Sequence, residues 1–140
     1  MPGNIKRILV FIVLLAIISG CASSPYDMKT LDNFANCLAE RGVVEYGAFW
    51  CPNCAKQEKM FGVSFSIIKE KVYVECDPRC DVEDINELPK ACRGKIGQTE
   101  NCLQKNVDKY PTWDFPNGKR LVGVQDFGVL ARESGCELNV

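Results

Sequence analysis

Histidine is absent from the 140 residues, which removes imidazole general bases, Cys-His and Ser-His catalytic pairs, and every metal site that needs a nitrogen ligand. Any metal site would have to be all-cysteine or built on oxygen. An excess of positive charge is also lacking. With 17 basic against 18 acidic residues and a formal charge of −1, the chain has no basic nucleic-acid footprint. Long apolar runs are missing as well. Ile8 to Ile18 is apolar throughout, but as a helix it spans roughly 16 Å, about half of a hydrocarbon core. There are no internal repeats and no low-complexity tracts.

What the chain does have is nine cysteines, about 6% of its residues, in a length suited to one domain. That density points to sulfur chemistry in a compartment where disulfides persist. Lys6 and Arg7 precede the apolar run, and Ser19, Gly20 and Cys21 follow it, so residues 1–20 read as a signal peptide. Ile18-Ser19-Gly20-Cys21 resembles the lipobox of prokaryotic lipoproteins, in which the cysteine is lipidated and becomes the new N-terminus. An ordinary signal peptide or an uncleaved hydrophobic anchor is the plainer alternative. In each case the remaining domain faces outward from the membrane, an extracytoplasmic and membrane-anchored localisation. Removing residues 1–20 leaves 15 basic and 18 acidic residues, a formal charge of −3, and eight cysteines besides Cys21. Eight is even, as an oxidised domain requires. Residues 21–27 form a short polar tether, and residues 28–140 form the folded domain.

Met28, Leu31, Phe34, Ala35 and Leu38 have the spacing of an amphipathic helix that Gly42 ends. Val43 to Trp50 suits a buried strand. Cys51-Pro52-Asn53-Cys54 follows at once, and Ala55 to Phe61 reads as a helix stopped near Gly62. Lys71 to Cys76 makes a second strand. The stretch 77–101 is polar, irregular and cysteine-bearing, and Thr99 to Val107 is a candidate short helix. Thr112 to Phe115 and Lys119 to Val124 form a hairpin joined at Pro116-Asn117-Gly118. Gln125 to Ser134 is a final helix stopped by Gly135.

A strand that ends on C-x-x-C opening a helix places the first cysteine where unpaired N–H groups and the helix dipole favour a thiolate. Cys51 is therefore the expected nucleophile, and Pro52 suits the first turn because it has no N–H to waste there. Cys54, about one turn further in, is expected to be less exposed and to resolve the mixed disulfide. An inert disulfide staple is the plainer reading. Cys51, Cys54, Cys76 and Cys80 also have spacing tolerable for a four-thiolate zinc site, although a helix after an apolar strand is unlike a zinc ribbon.

Four ordered blocks carry a resemblance to the thioredoxin superfamily over roughly residues 28 to 136: Tyr46-Gly47-Ala48-Phe49-Trp50-Cys51-Pro52-Asn53-Cys54, Tyr73-Val74-Glu75-Cys76-Asp77-Pro78, Tyr110-Pro111-Thr112-Trp113 and Ser134-Gly135-Cys136. In particular the chain resembles the thioredoxin-like domain associated with bacterial and archaeal vitamin K epoxide reductase homologues. The resemblance implies an α/β thioredoxin fold, a central mixed sheet flanked by helices, with a longer insertion around 77–101. It also implies a thiol–disulfide oxidoreductase acting on protein substrates, beside a vitamin K epoxide reductase-like membrane oxidase and without a cofactor.

The same resemblance makes Pro111 a cis-proline beside the active cysteines, where an ordinary trans turn proline is the alternative. Trp50, Pro52, Asn53, Tyr110 and Thr112 become the substrate-facing residues. Glu45, six residues before Cys51, takes the place of a buried acid that manages the proton of the second cysteine, and an exposed glutamate at a strand's start is the alternative. Relatives that are strong oxidants often carry histidine between the cysteines. Asn53 offers a neutral hydrogen bond instead, which implies a middling reduction potential. The six remaining cysteines allow fifteen pairings, which sequence alone does not settle. The resemblance implies Cys76 with Cys102. Cys80 and Cys92 would then close a loop inside the insertion, leaving Cys37 with Cys136.

Overall fold

The computed structural model describes residues 24–139. The expected signal segment, Cys21 and the first part of the tether lie outside the described residues. Asp27 begins the first helix, α1 (Met28–Glu40), by accepting the Thr30 N–H at 2.7 Å, which satisfies one of the N–H groups a helix start leaves unpaired. Leu31, Phe34, Ala35 and Leu38 form its buried stripe. Gly42, at φ 72°, turns the chain into β1 (Val44–Gly47).

After β1 come α2 (Pro52–Phe61), a 3₁₀ turn, α3 (Phe65–Lys71) and β2 (Tyr73–Glu75). The insertion contains three 3₁₀ turns and leads into α4 (Thr99–Gln104). The hairpin of β3 (Thr112–Asp114) and β4 (Arg120–Val122) precedes α5 (Phe127–Ser134), which Gly135 stops at φ 71°. The sheet order is β2-β1-β3-β4, with β1 parallel to β2 and antiparallel to β3, and β3 antiparallel to β4. This mixed α/β arrangement is compatible with a thioredoxin-like fold.

Strand alternation separates two cores. Val44 and Tyr46 of β1, with Val74, pack toward Cys76, Cys102 and Val107. Glu45 and Gly47 lie on the opposite face, in register with Tyr73 and Glu75 of β2. The larger core carries Phe34, Phe61, Phe65, Ile68, Trp113, Phe127 and Leu130. Phe127 meets Phe61 edge-on at 4.8 Å between ring centroids, a favoured arrangement for two aromatic rings.

Two expectations change. The strand expected to run to Trp50 ends at Gly47. Cys51 N–H bonds to the Ala48 carbonyl at 2.9 Å, so the chain turns there instead of extending. The stretch after Gly62, given no element from the sequence, contains α3, which buries Phe65 and Ile68. Gly62 stops α2, but the 3₁₀ turn at Gly62–Ser64 restarts helix at once.

Candidate active site

Cys51 is the N-cap residue of α2, with extended backbone and Pro52 behind it in the first turn. Its sulfur accepts the Cys54 N–H at 3.4 Å, and its thiol donates to the Tyr110 carbonyl at 3.5 Å. The N–H donation is the local form of the helix-terminus effect, because an otherwise unpaired donor is aimed at the sulfur. Cys51 and Cys54 are unbonded and both buried, at 6% and 4% exposure. Burial holds the Cys54 thiol well above its ordinary pKa. The nearby Cys51 and Glu45 push the same way, and a hydrogen bond from the Ala48 backbone opposes them.

The other six cysteines are bonded: Cys37 to Cys136, Cys76 to Cys102 and Cys80 to Cys92. These are the same three pairs set out from the sequence. They tie α1 to the end of α5, the end of β2 to α4, and the insertion to itself. Since Cys76 and Cys80 each have another cysteine as partner, the four-thiolate set with Cys51 and Cys54 is not assembled.

The Tyr110–Pro111 peptide is cis, and Pro111 is buried with its carbonyl accepting from Gly123 N–H at 2.7 Å. Tyr110 packs against Ala48, Cys51 and Cys54. Pro52 and Asn53 are exposed at the head of α2, and Trp50, 55% exposed, stands beside Tyr110 with ring centroids 6.2 Å apart. Thr112 departs from its expected substrate-facing place. It is buried, as is its neighbour Trp113 on the other face, because β3 is an interior strand between β1 and β4, and its hydroxyl donates to the Lys109 carbonyl at 2.7 Å.

Glu45 is fully buried, and neither carboxylate oxygen has a hydrogen-bond partner. Desolvation, reinforced by Glu58, pushes its pKa to about 8. A buried carboxyl without partners is costly to ionise, so it rests protonated near neutrality, within range of giving and taking a proton.

Sequence reasoning missed the residues that hold the active loop. Trp50 Nε1 donates to Asp77 at 2.6 Å, and Asp77 also pairs with Arg79 at 2.8 Å. The Arg79 side chain, with its neighbours' hydrogen bonds, holds the Asp77 carboxyl down at about 2. The Arg79 guanidinium lies 4.7 Å above the Phe49 ring. Buried Gln57 anchors α2 to the start of α5 by accepting from Gln125 N at 2.7 Å and donating to Gln125 O at 3.1 Å. The available signal was the acid at alternate positions, Glu75 and Asp77, around a strand ending.

No family model matches the chain. Among curated proteins, the thiol-disulfide oxidoreductase LTO1 of Arabidopsis thaliana is 33% identical over 118 residues, covering 84% of this chain and 27% of that protein. The chain thus spans about a quarter of the length of that relative. The likeness over this stretch is to part of a protein named as a thiol–disulfide oxidoreductase.

Proposed function

We propose that the chain is an extracytoplasmic thiol–disulfide oxidoreductase that exchanges disulfides with protein substrates through Cys51 and Cys54. The observation that carries this reading is an unbonded pair at a helix head, in a domain whose other described cysteines are all bonded. In the reducing direction, Cys51 attacks a substrate disulfide as thiolate. Its sulfur bonds to one substrate sulfur, and the other leaves as thiolate. In the molecules whose Glu45 is ionised, a minority at neutral pH that grows toward about pH 8, Cys54 then gives its proton to that carboxylate and attacks Cys51. The Cys51–substrate bond breaks, and the second substrate sulfur departs with the electron pair. The oxidising direction reverses these steps, with Glu45 returning the proton.

Trp50, Pro52, Asn53 and Tyr110 would face the incoming chain, and the cis Pro111 would shape that surface. Lipidation of Cys21 after removal of residues 1–20 would anchor the domain to the membrane, facing outward from the cytoplasm. Its redox partner would be a quinone-linked oxidase of the vitamin K epoxide reductase type, a reading supported by the resemblance of the residue blocks. The test is the reduction potential of the Cys51–Cys54 pair against glutathione, with insulin reduction and refolding of a reduced substrate in parallel. One readily cycled pair is expected, at a middling potential consistent with Asn53. Strong oxidation with weak insulin reduction assigns the oxidase direction, and the reverse assigns the reductase. Absence of any cycled pair leaves a disulfide-stapled binding protein.

A further inference from the structure

Behind the resolving cysteine lies a second buried carboxylate with a different environment from the first. Glu75 is 1% exposed, and its oxygens are fully engaged. Oε1 accepts the Phe49 N–H at 3.2 Å and the Asp77 N–H at 3.0 Å, and Oε2 accepts the Tyr73 hydroxyl at 2.9 Å. Phe49 is two residues before Cys51, so this carboxylate replaces the strand ladder that stops at Gly47. The Tyr73 hydroxyl reaches the Cys54 pocket across Gly47. A Cβ there would lie 2.9 Å from Tyr73 Oη and 3.1 Å from Cys54 Sγ. Hydroxyl and sulfur share the space that the missing side chain leaves.

We infer that Glu75 is a positioning residue for the dithiol: it ties down the loop that presents Cys51, and its fixed negative charge, carried toward Cys54 through Tyr73, keeps the resolving sulfur protonated until resolution. The inference deepens the oxidoreductase reading and rests on it for its purpose. Holding Cys54 as a thiol slows its attack on Cys51 and so lengthens the life of the mixed disulfide with substrate.

The two carboxyl groups divide the work. Glu45, with no hydrogen-bond partners, is the proton carrier, whereas Glu75 is held in place by three donors. Burial holds the Tyr73 hydroxyl far above the ordinary tyrosine range, with Glu75 next and Cys54 and Glu45 contributing. It therefore stays protonated and keeps donating to Glu75. Glu58 of α2, Lys69 of α3, and Arg93 and Lys95 of the insertion line one cavity with Tyr73 and Glu75, and Cys51, Tyr110, Asp77 and Arg79 are the further titratable groups around the dithiol and Glu75. The charge of Glu75 also reaches Tyr110 and Arg79.

The test compares Glu75→Gln and Tyr73→Phe in a Cys51→Ser background, reading the rate of Cys54 alkylation by iodoacetamide across pH. Alkylation reports the thiolate, so at a fixed pH below the thiol's pKa it scales with the thiolate fraction. Glu75→Gln keeps an oxygen acceptor but removes the charge, and is expected to speed alkylation about tenfold. Tyr73→Phe removes the hydrogen bond that disperses that charge and dries the pocket, and is expected to slow alkylation about threefold. Opposite signs are the signature. A merely structural role would open the pocket and speed both variants, and that outcome, or no change in either, overturns the inference. Melting curves check folding, and if Glu75→Gln does not fold, Tyr73→Phe alone decides by its sign. Insulin reduction by the unmodified protein is read separately. Divergent variants beside an inactive parent would sink the enzyme reading and leave the electrostatic one standing, and coincident variants beside an active parent would do the reverse.

Discussion

Cys51 and Cys54 are 6% and 4% exposed, and the bonded Cys76, Cys80, Cys92, Cys102 and Cys136 range from 0% to 5%. Burial therefore does not separate the unbonded cysteines from these bonded ones. Surroundings do. The unbonded pair sits at a helix head, with an N–H aimed at one sulfur, a cis-proline segment beside it and two buried carboxyl groups behind it. The bonded pairs join elements far apart in sequence or close a polar loop, with sequence separations of 99, 26 and 12. One region arranges charge around sulfur, and the other uses sulfur to restrain the unfolded chain.

The largest effect that would sharpen this contrast is on turnover. Cys51→Ser is expected to abolish insulin reduction, and Cys54→Ser to trap a mixed disulfide visible by mass spectrometry, with melting temperature little changed in both. Residual turnover in the Cys51 variant would break the division of roles. Replacing Cys37 and Cys136 together by alanine is expected to do the opposite. It would cost about 4–5 kcal/mol for a loop of that length, while replacing Cys80 and Cys92 would cost about 3 kcal/mol, both measured by urea unfolding. Loss of exchange activity in folded Cys37/Cys136 variants would show that the two regions are not separable.

A smaller effect concerns Glu45. Its folded pKa, about 8, lies above the ordinary 4.5, so between those values the native state holds a proton that the unfolded chain has released. Stability should accordingly fall as pH rises through that window and level off above it. Glu45→Gln is expected to flatten this slope and to slow exchange at neutral pH about tenfold or more, the usual scale of a lost general acid or base. An unchanged slope in urea titrations at several pH values would place the proton elsewhere. Smallest is Trp50→Phe, which removes the indole donor to Asp77. About 1 kcal/mol of stability is expected to be lost in thermal melts, with a weaker grip on unfolded substrate read from KM more than kcat.

Much of the fold was legible because its signals are local. Gly42 and Gly135 mark helix ends through positive φ, and in a strand Val43, Glu45 and Gly47 fall on one face, whereas the Asp27 cap was not read from the sequence. The site was legible where chemistry and spacing coincide, in Cys51-Pro52-Asn53-Cys54 and Tyr110-Pro111. Ala48 to Trp50 misled because apolar and aromatic residues suit a strand, whereas the Phe49 N–H is held by a side chain from β2. The helix α3 was hidden by Gly62, which ends one helix without ending the helical path.

By itself the sequence determined the type of chemistry available. With no histidine, sulfur is left to be tuned by backbone donors, carboxyl groups, hydroxyls and the lysine and arginine side chains, and a C-x-x-C after an apolar strand is expected to place two thiols at a helix head. Only the tertiary structure decided which groups do the tuning. Glu45 and Glu75 are two residues of one type on neighbouring strands. One is buried without a hydrogen-bond partner and the other accepts three hydrogen bonds, and the proposed division between a proton carrier and a positioning residue rests on that difference. Tyr73 and Asp77 are neighbours of Glu75 two residues away along the chain, but the Phe49 N–H reaches it only because the parallel pairing of β1 with β2 brings the loop after β1 alongside.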